Sequence, residues 1–358
     1  MIVVPCQPGK SLCAMIDTFL SALYLCNVLA LQPSPPKGLI RMEKLSDRAV
    51  WERLARAAWF DPATFRMTRD WRKQTATHHH IVQRWDGADT ALIFKRLYRP
   101  MDTKVFQTLI AAQMRAAEAM ANQSEAVPDI LEFDTEARAV LMRAAPGETV
   151  YDLIDAGGST ADLLRRAGRW MAAFHRSGPV ETRRYQPKFM RNHVAHLLSQ
   201  HESGEIVLPD PAAFRRHAER VIALGAEFEG RQTVSSATHG DMHLRNILLD
   251  GPRSWGIDFS AKHSAPVGFD IARFLLHYVG VFGDLDAVPD GAVIDPGLLA
   301  AFFDGYDLVG ADDPSVGYLL RVRILMDWAA IPARMLDRSK GQGRRLKRLQ
   351  RLAERALA

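Results

Sequence analysis

One run of residues in the second half of the chain constrains the fold more than any other feature. Asn246 follows Asp241 by five residues, and Asp258 follows it by seventeen. The apolar runs 247–249 and 255–257 flank a Gly-Pro turn between the last two, a pattern that predicts a β-hairpin. Antiparallel pairing brings the two ends of a hairpin together. We therefore expect Asn246 and Asp258 to lie close to each other.

The types of these three side chains indicate phosphoryl transfer. That reaction needs one carboxylate that orients the attacking hydroxyl and accepts its proton. It also needs an amide and a second carboxylate that hold Mg²⁺ against the phosphates. Mg²⁺ prefers hard oxygen ligands of this kind.

The residues around this run resemble the aminoglycoside phosphotransferase and choline kinase superfamily, which shares the protein-kinase fold. The family signature His-Gly-Asp-x-His-x-x-Asn matches residues 239–246, and the resemblance continues through Ile-Asp at 257–258 and Gly-Phe-Asp-Ile-Ala at 268–272. His243 stands where protein kinases usually have Lys, which favours the branch that acts on small molecules. The resemblance covers roughly residues 65–328.

The resemblance implies a role for each matching residue. Asp241 is expected to be the catalytic base, and His239 and His243 belong to the same catalytic loop, with His239 holding its backbone. Asn246 and Asp258 are expected to bind Mg²⁺.

Asp270 has two compatible interpretations. The resemblance implies a carboxylate that braces the catalytic loop, and its position before an apolar stretch fits a helix N-cap.

The order of the elements predicts an α+β, two-lobed protein-kinase-like fold. We expect a small antiparallel-sheet N-lobe at 42–145, which binds the nucleotide, and a larger helical C-lobe at 146–358 with the catalytic loop, metal and acceptor sites. Residues 1–41 are interpreted as a poorly ordered extension or a mis-assigned start.

Period-2 and period-3.6 patterns place the N-lobe elements. Strands are predicted at 64–68, 80–85, 90–97, 129–134 and 139–142, with a hairpin turn at Asp86-Gly87. A helix at 46–58 is predicted to begin at a Ser46 cap and to bury Leu45, Val50 and Leu54. A second helix at about 102–121 is predicted to bury Val105, Leu109, Ala112, Ala116 and Met120.

Four residues are candidates for binding ATP. Lys95 lies on a predicted strand where the kinase fold needs a cation on the α- and β-phosphates, and Glu118 is its candidate partner. Met142 and Ala144 resemble the hinge that reads the adenine edge. The expected phosphate-covering turn at 72–77 has no glycine.

The charge of the chain is concentrated at its ends. Residues 331–358 carry nine Lys or Arg and two Asp or Glu, and residues 1–41 carry three and one. The overall net charge of +5 therefore leaves residues 42–330 at −4, which argues against nucleic-acid binding by the core.

The basic helix predicted at 344–352 is interpreted as docking its leucines on the protein. Membrane contact through either terminal segment is the alternative that we do not favour.

The segment 281–314 contains eight aspartates and no Lys or Arg. It predicts a cationic acceptor such as an amino alcohol or an aminoglycoside, although solvated loops also explain it.

The predicted function is an ATP- and Mg²⁺-dependent phosphotransferase that acts on a hydroxyl group of a small molecule. All three cysteines lie within the first 26 residues, which suits a reducing, cytoplasmic location. A kinase for a macromolecular acceptor, such as a lipopolysaccharide sugar or a protein, and a non-catalytic nucleotide-binding scaffold remain alternatives.

Overall fold

The computed structural model describes residues 45–74, 79–260 and 264–357. The predicted extension at 1–41 and residues 75–77 of the predicted phosphate-covering turn lie outside the described residues.

The contacts divide the chain into two compact units. Within the described residues, the smaller unit comprises 45–106 and 131–143, and the larger comprises 107–130 and 144–357. The lobe boundary proposed at residue 145 stays a prediction.

The described residues contain twelve strands in three sheets. The strands are β1 Arg66–Gln74, β2 His79–Asp86, β3 Ala91–Arg99, β4 Glu125–Ala126, β5 Ile130–Asp134, β6 Ala139–Arg143, β7 Glu148–Thr149, β8 Glu181–Arg184, β9 Gln232–Ala237, β10 Ile247–Asp250, β11 Arg253–Gly256 and β12 Ser264–Pro266. Their orders are β1-β2-β3-β6-β5, β4-β11-β10-β7 and β12-β9-β8. The pairing of β4 with β11 is parallel.

The described residues also contain ten α-helices. These are α1 Asp47–Ala57, α2 Thr103–Ala119, α3 Val150–Asp155, α4 Thr160–Arg176, α5 Lys188–Glu202, α6 Pro211–Phe228, α7 Gly268–Val281, α8 Pro296–Gly305, α9 Pro314–Ala329 and α10 Lys340–Ala356.

The core of the smaller unit lies between α1 and one face of the five-stranded sheet. Helix α1 begins at Ser46, whose hydroxyl accepts a hydrogen bond from the N–H of Ala49, as predicted. Trp51 stacks on Trp85 with ring centroids 3.6 Å apart. The predicted burial of Leu45 is wrong, because that side chain is 47% exposed, whereas Trp51 is buried in the core.

Helix α2 is present where it was predicted, but its first half is rotated relative to the prediction. Phe106 and Ile110 are buried and Val105 is exposed, whereas Ala116 and Met120 are buried as expected. A larger aromatic side chain buries more apolar area than a valine, so the helix turns Phe106 inward.

Strand β1 is longer than the predicted strand at 64–68. It continues to Gln74 and pairs with β2 along its whole length apart from one irregularity. Arg72 and Lys73, assigned above to the phosphate-covering turn, therefore lie within a strand.

Helices dominate the larger unit. Helix α4 packs on α8, and α9 contacts α6, α7 and α10. Helix α9 buries residues on several sides, among them Tyr318 and Trp328. The indole N–H of Trp328 donates to the carbonyl of Pro209 at 2.7 Å.

The basic C-terminal helix docks on the rest of this unit, as predicted. Leu346, Leu349 and Leu352 are buried, and α10 packs on α7 and α9. A capping box formed by Ser339 and Gln342 starts the helix. No helix in the described part of the chain is long and apolar enough to cross a membrane.

A buried histidine of the larger unit makes stability depend on pH. Burial lowers the pKa of His193, on α5, to about 4, and the nearby His196 adds to this effect. The unfolded chain, with a pKa near the ordinary value of 6.5, takes up the proton first. Stability is therefore lost as the pH falls from about 6.5 towards 4.

We predict that His193 alone makes unfolding easier by about 2 kcal/mol at pH 5 than at pH 7. Urea titrations of the wild type and of His193→Leu at both pH values measure this. The variant is expected to show a smaller difference between the two pH values, whatever its absolute stability. An identical difference in both proteins would contradict the prediction.

Candidate active site

The loop that contains Asp241 joins strand β9 to strand β10. It ends in a 3-10 turn, Leu244–Asn246. Gly240 has a φ of +80°, a conformation that is easy for glycine and costly for other residues. The glycine of the sequence signature therefore has a structural reason.

A buried carboxylate fixes the backbone of this loop. Asp270, on α7, accepts hydrogen bonds from the N–H of His239 at 2.6 Å and the N–H of Gly240 at 2.9 Å. These bonds confirm the predicted bracing role. The alternative role as helix cap is wrong, because Val267 occupies the N-cap position and Asp270 lies in the first turn.

The Asp270 carboxylate is held in turn by His175 on α4. Its Nε2 lies 3.2 Å from Oδ2 of Asp270, and its Nδ1 lies 2.8 Å from the hydroxyl of Tyr306. Burial raises the pKa of a carboxyl group, but the hydrogen bond and the charge interaction with His175, aided by His239 and the N–H of Gly240, outweigh burial and lower the pKa of Asp270. The carboxylate therefore stays ionised and accepts from Nε2–H of His175.

His239 links the loop to the segment around Asp258. Its Nε2 donates to the carbonyl of Ile257 at 2.9 Å, and its own carbonyl accepts from the N–H and hydroxyl of Ser260. Burial lowers the pKa of His239, although Asp270 opposes that change. A neutral, buried imidazole fits the predicted role of holding the backbone.

Asn246 and Asp258 lie at the ends of the predicted hairpin. Strands β10 and β11 pair from Ile247 opposite Gly256, and the N–H of Ile257 donates to the carbonyl of Asn246 at 3.0 Å. The side-chain amide of Asn246 donates to the carbonyl of Asp241 at 2.8 Å. Backbone and side-chain bonds of Asn246 therefore connect the Asp241 loop to the hairpin.

Asp258 has a φ of +65°. Non-glycine residues adopt this left-handed conformation rarely, and it is enriched at functional sites.

Arg273 contacts the carboxylate of Asp241 directly. It lies one turn after Asp270 on α7, forms an ion pair with Oδ1 of Asp241, and donates to the carbonyl of Gly240 at 3.4 Å. Residues three apart share one face of a helix. One face of α7 therefore holds both the backbone of the loop and its carboxylate.

His243 faces a second histidine across the loop. Its Nδ1 accepts from the N–H of Arg245 at 3.2 Å, and its ring lies 5.4 Å from that of His277. Burial is the main cause that lowers the pKa of both rings, to about 3 for His277. Both are therefore neutral near pH 7.

Within the described ranges, no group of three or more His, Cys, Asp or Glu is arranged to hold a metal ion. The two expected ligands, the amide of Asn246 and the carboxylate of Asp258, are too few to form such a group. In phosphoryl transfer of the kind described above, phosphate oxygens would supply the remaining ligands of the ion.

The nucleotide-binding candidates are distributed over both units. Lys95 on β3 and Met142 on β6 belong to the smaller unit, whereas Glu118 on α2 and Ala144 belong to the larger. Lys95 is half-buried between the buried Phe94 and Arg96, so it lies on the sheet face opposite the α1 core. The roles of these four residues stay predictions.

The acidic segment 281–314 uses its carboxylates within the larger unit. Seven of its eight aspartates accept a hydrogen bond or form an ion pair there: Asp284, Asp286, Asp290, Asp295, Asp304, Asp307 and Asp313. Asp286 pairs with Arg351, and Arg355 of the same C-terminal helix lies 4.0 Å from Asp290. Four of the eight pair with arginine, so half of this charge is balanced by the protein itself.

The model of the APH phosphotransferase enzyme family matches residues 77–319, which is more than half of the chain. The chain belongs to this phosphotransferase family. Among curated proteins, no sequence matches it.

Solved structures extend the family assignment to the fold. A protein assigned as a fructosamine-3-kinase from Thermobifida fusca is 16% identical with a TM-score of 0.52, over 87% of this chain and 99% of that one. A choline/ethanolamine kinase family protein from Mesorhizobium loti is 19% identical with a TM-score of 0.51, over 86% and 99%. A spectinomycin phosphotransferase is 15% identical with a TM-score of 0.51, over 82% and 93%. These similarities confirm the predicted α+β, protein-kinase-like fold.

Three residues of this site were missed by the sequence analysis: Arg273, His175 and Tyr306. A signal existed for Arg273, because a residue three positions after Asp270 on a helix lies on the same face. His175 and Tyr306 are far apart in the sequence, and only the packing of α4 against α8 brings them together.

We predict that Asp270→Asn lowers the free energy of unfolding by about 3 kcal/mol, because an amide group cannot accept from all of the buried N–H donors. Urea titration measures the loss. Asp304→Asn is the matched control, since Asp304 is 62% exposed and pairs with Arg165; it is expected to cost less than about 1 kcal/mol. Equal losses in the two variants would show that Asp270 does not hold the loop.

Proposed function

We propose that this chain transfers the γ-phosphoryl group of ATP to a hydroxyl group of a small molecule, in a reaction that depends on Mg²⁺. The observation that carries the proposal is the held position of Asp241. Its loop is fixed by Asp270, its carboxylate contacts Arg273, and its carbonyl is bonded to the side chain of Asn246. Membership of the phosphotransferase family supports the same reaction.

Asp241 acts on the acceptor in this proposal. Its carboxylate accepts the hydroxyl proton while the oxygen forms a bond to phosphorus and the bond to the β-phosphate oxygen breaks, leaving ADP. The loop is held in place because the N–H groups of His239 and Gly240 and the carboxylate and carbonyl of Asp241 have partners. A fixed carboxylate reduces the cost of orienting the hydroxyl.

The residues at the end of the hairpin suit a magnesium ion. The amide nitrogen of Asn246 is used by the carbonyl of Asp241, so the amide oxygen is the atom that remains for a cation. Together with the carboxylate of Asp258 it provides the hard oxygen ligands that Mg²⁺ prefers. When bound, Mg²⁺ neutralises charge on the transferred phosphate.

Lys95, Glu118, Met142 and Ala144 complete the proposal on the nucleotide side. Lys95 would contact the α- and β-phosphates with Glu118 as its partner, and the backbone of Met142 and Ala144 would read the adenine. The solved spectinomycin phosphotransferase contains ADP, which supports ATP as the donor for a chain of this fold.

The family and the docked helix support a small-molecule acceptor. Solved relatives are named for small molecules such as fructosamine, choline and spectinomycin. The basic helix α10 uses its leucines and several arginines inside the protein, which removes the reason to favour a membrane-bound macromolecular acceptor. The acidic segment 281–314 predicts a cationic amino alcohol or aminoglycoside, but the internal partners of its aspartates weaken that reason. A cytoplasmic location, where ATP and Mg²⁺ are supplied together, completes the proposal.

We predict that Asp241→Asn lowers turnover by about 10²–10⁴-fold, the usual effect of losing a general base, and leaves the binding of Mg²⁺ and ATP intact. ADP release in the presence of acceptor measures turnover, and calorimetry measures binding. Asp307→Asn, in an exposed ion pair with Arg176, is the control and should keep full turnover. Near wild-type turnover in Asp241→Asn would refute the assignment of Asp241 as the base, whereas a wild type without turnover would favour the non-catalytic scaffold.

We predict that Asp258→Ala abolishes the effect of Mg²⁺ on ATP binding, because the carboxylate is the charged ligand of the ion. ATP is titrated with and without Mg²⁺ into the wild type and the variant. The exposed Asp250, on the same hairpin, provides the control variant Asp250→Ala, which should retain the metal effect. A metal effect that persists in Asp258→Ala would assign the ion to other residues.

A further inference from the structure

Three arginines from three helices pair with two aspartates, the buried Asp327 and Asp241 of the catalytic loop. Arg323 and Asp327 on α9 form an ion pair of 2.6 Å, and Arg345 on α10 also pairs with Asp327. Arg273 on α7 pairs with Asp241. We refer to Arg273, Arg323 and Arg345 as the arginine cluster.

The cluster is one electrostatic group. Burial lowers the pKa of Arg323; Asp327 opposes this change, and the positive charges of Arg273 and Arg345 reinforce it. Helices α7, α9 and α10 pack on one another. The guanidinium that contacts Asp241 is therefore close to the pair that contacts Asp327.

The cluster has more positive charge than its acids balance. Three guanidinium groups face two carboxylates, those of Asp241 and Asp327, and His277 beside them is neutral near pH 7 for the reason given above. One positive charge remains in a partly desolvated place, where it acts more strongly than at an open surface. An anion would relieve it.

The cluster also contains hydrogen-bond donors that have no acceptor. The Nε–H groups of Arg323 and Arg345 are buried and lack an acceptor among the residues that the structure describes. The side chains of Arg323 and Arg345 remain 25% and 33% exposed, so solvent still reaches them. A buried donor without a partner lowers stability, unless a ligand uses it.

We propose that the acceptor of the reaction is an anion, and that its carboxylate or phosphate group binds to the arginine cluster while its hydroxyl group lies at Asp241. This inference rests on the proposed function. A planar guanidinium matches both carboxylate and phosphate through two parallel N–H bonds. With an anion bound, Arg273 shares its donors between the acceptor and Asp241, whereas a cationic acceptor meets like charge at this position.

A series of matched acceptors tests the charge of the substrate. Glycerol, glycerate, glycerol 3-phosphate and 3-amino-1,2-propanediol share a three-carbon hydroxylated frame and differ in one charged group. Glucose, gluconate, glucose 6-phosphate and glucosamine repeat the comparison on a larger frame. With ATP and Mg²⁺ saturating, kcat/KM from ADP release is expected to be about tenfold or more higher for an anionic member than for its neutral and cationic counterparts. The advantage should shrink as salt is added, and the two anionic arms separate carboxylate from phosphate.

Variants of the cluster test the residues. Arg323→Gln and Arg345→Gln each leave Asp327 with one arginine, so the buried carboxylate keeps a partner. Both are expected to raise KM for the anionic acceptor by about tenfold, while Arg→Lys at either position recovers part of the loss because the charge is kept. Arg351→Gln is the matched control, since Arg351 lies on the same helix as Arg345 and pairs with Asp286.

A binding measurement tests whether the arginine cluster binds an anion, even if no acceptor of the panel is phosphorylated. Inorganic phosphate is added at constant ionic strength to protein saturated with Mg²⁺ and a non-hydrolysable ATP analogue, and the unfolding temperature is recorded. Phosphate should stabilise the wild type and Arg351→Gln, and should not stabilise Arg323→Gln. A neutral or cationic preference, or equal behaviour of the cluster and control variants, overturns the proposal. If the wild type showed no Mg²⁺-dependent ATP binding, that result would instead refute the proposed function.

Discussion

The hydrogen bonds that Asp270 accepts from the backbone of the Asp241 loop are the interaction on which the candidate site depends. A loop between two strands has N–H groups that no sheet satisfies, and buried N–H groups need partners. Asp270 provides them from a helix, His175 helps to keep its carboxylate ionised, and Tyr306 holds the ring of His175. The position of Asp241 is thus determined by a buried chain of bonds that begins at a different helix, α4.

One face of helix α7 both stabilises the Asp241 loop and contacts its carboxylate. Asp270 and Arg273 are one turn apart on α7, and the first holds the loop while the second contacts the reactive carboxylate. A small rotation of α7 would move both contacts together. The packing of α7 against α9 and α10, which buries apolar side chains without taking part in chemistry, is therefore also what aligns the site.

The sequence pattern of a short segment predicts those elements of this protein whose structure depends on that segment alone. The hairpin that joins Asn246 to Asp258 follows from two apolar runs around a Gly-Pro turn, and the sheet of the smaller unit follows from alternation. The rotation of α2, which buries Phe106 instead of Val105, was missed because periodicity gives the spacing of an apolar face more reliably than its phase. The contacts of Arg273 and His175 were missed because they depend on which helices pack together.

Charge was the least predictable property, and the reason is physical. The basic C-terminal segment and the acidic segment 281–314 each suggested a ligand when considered alone. In the folded chain they bind each other, since Arg351 pairs with Asp286 and Arg355 reaches Asp290. Coulomb energy at short distance exceeds the energy of a diffuse net charge, so pairing cancels what each segment would have presented to a substrate. The electric field at a reactive group is then determined by the charges that ion pairs do not balance. Next to Asp241, the three arginines of α7, α9 and α10 exceed their partners Asp241 and Asp327 by one charge.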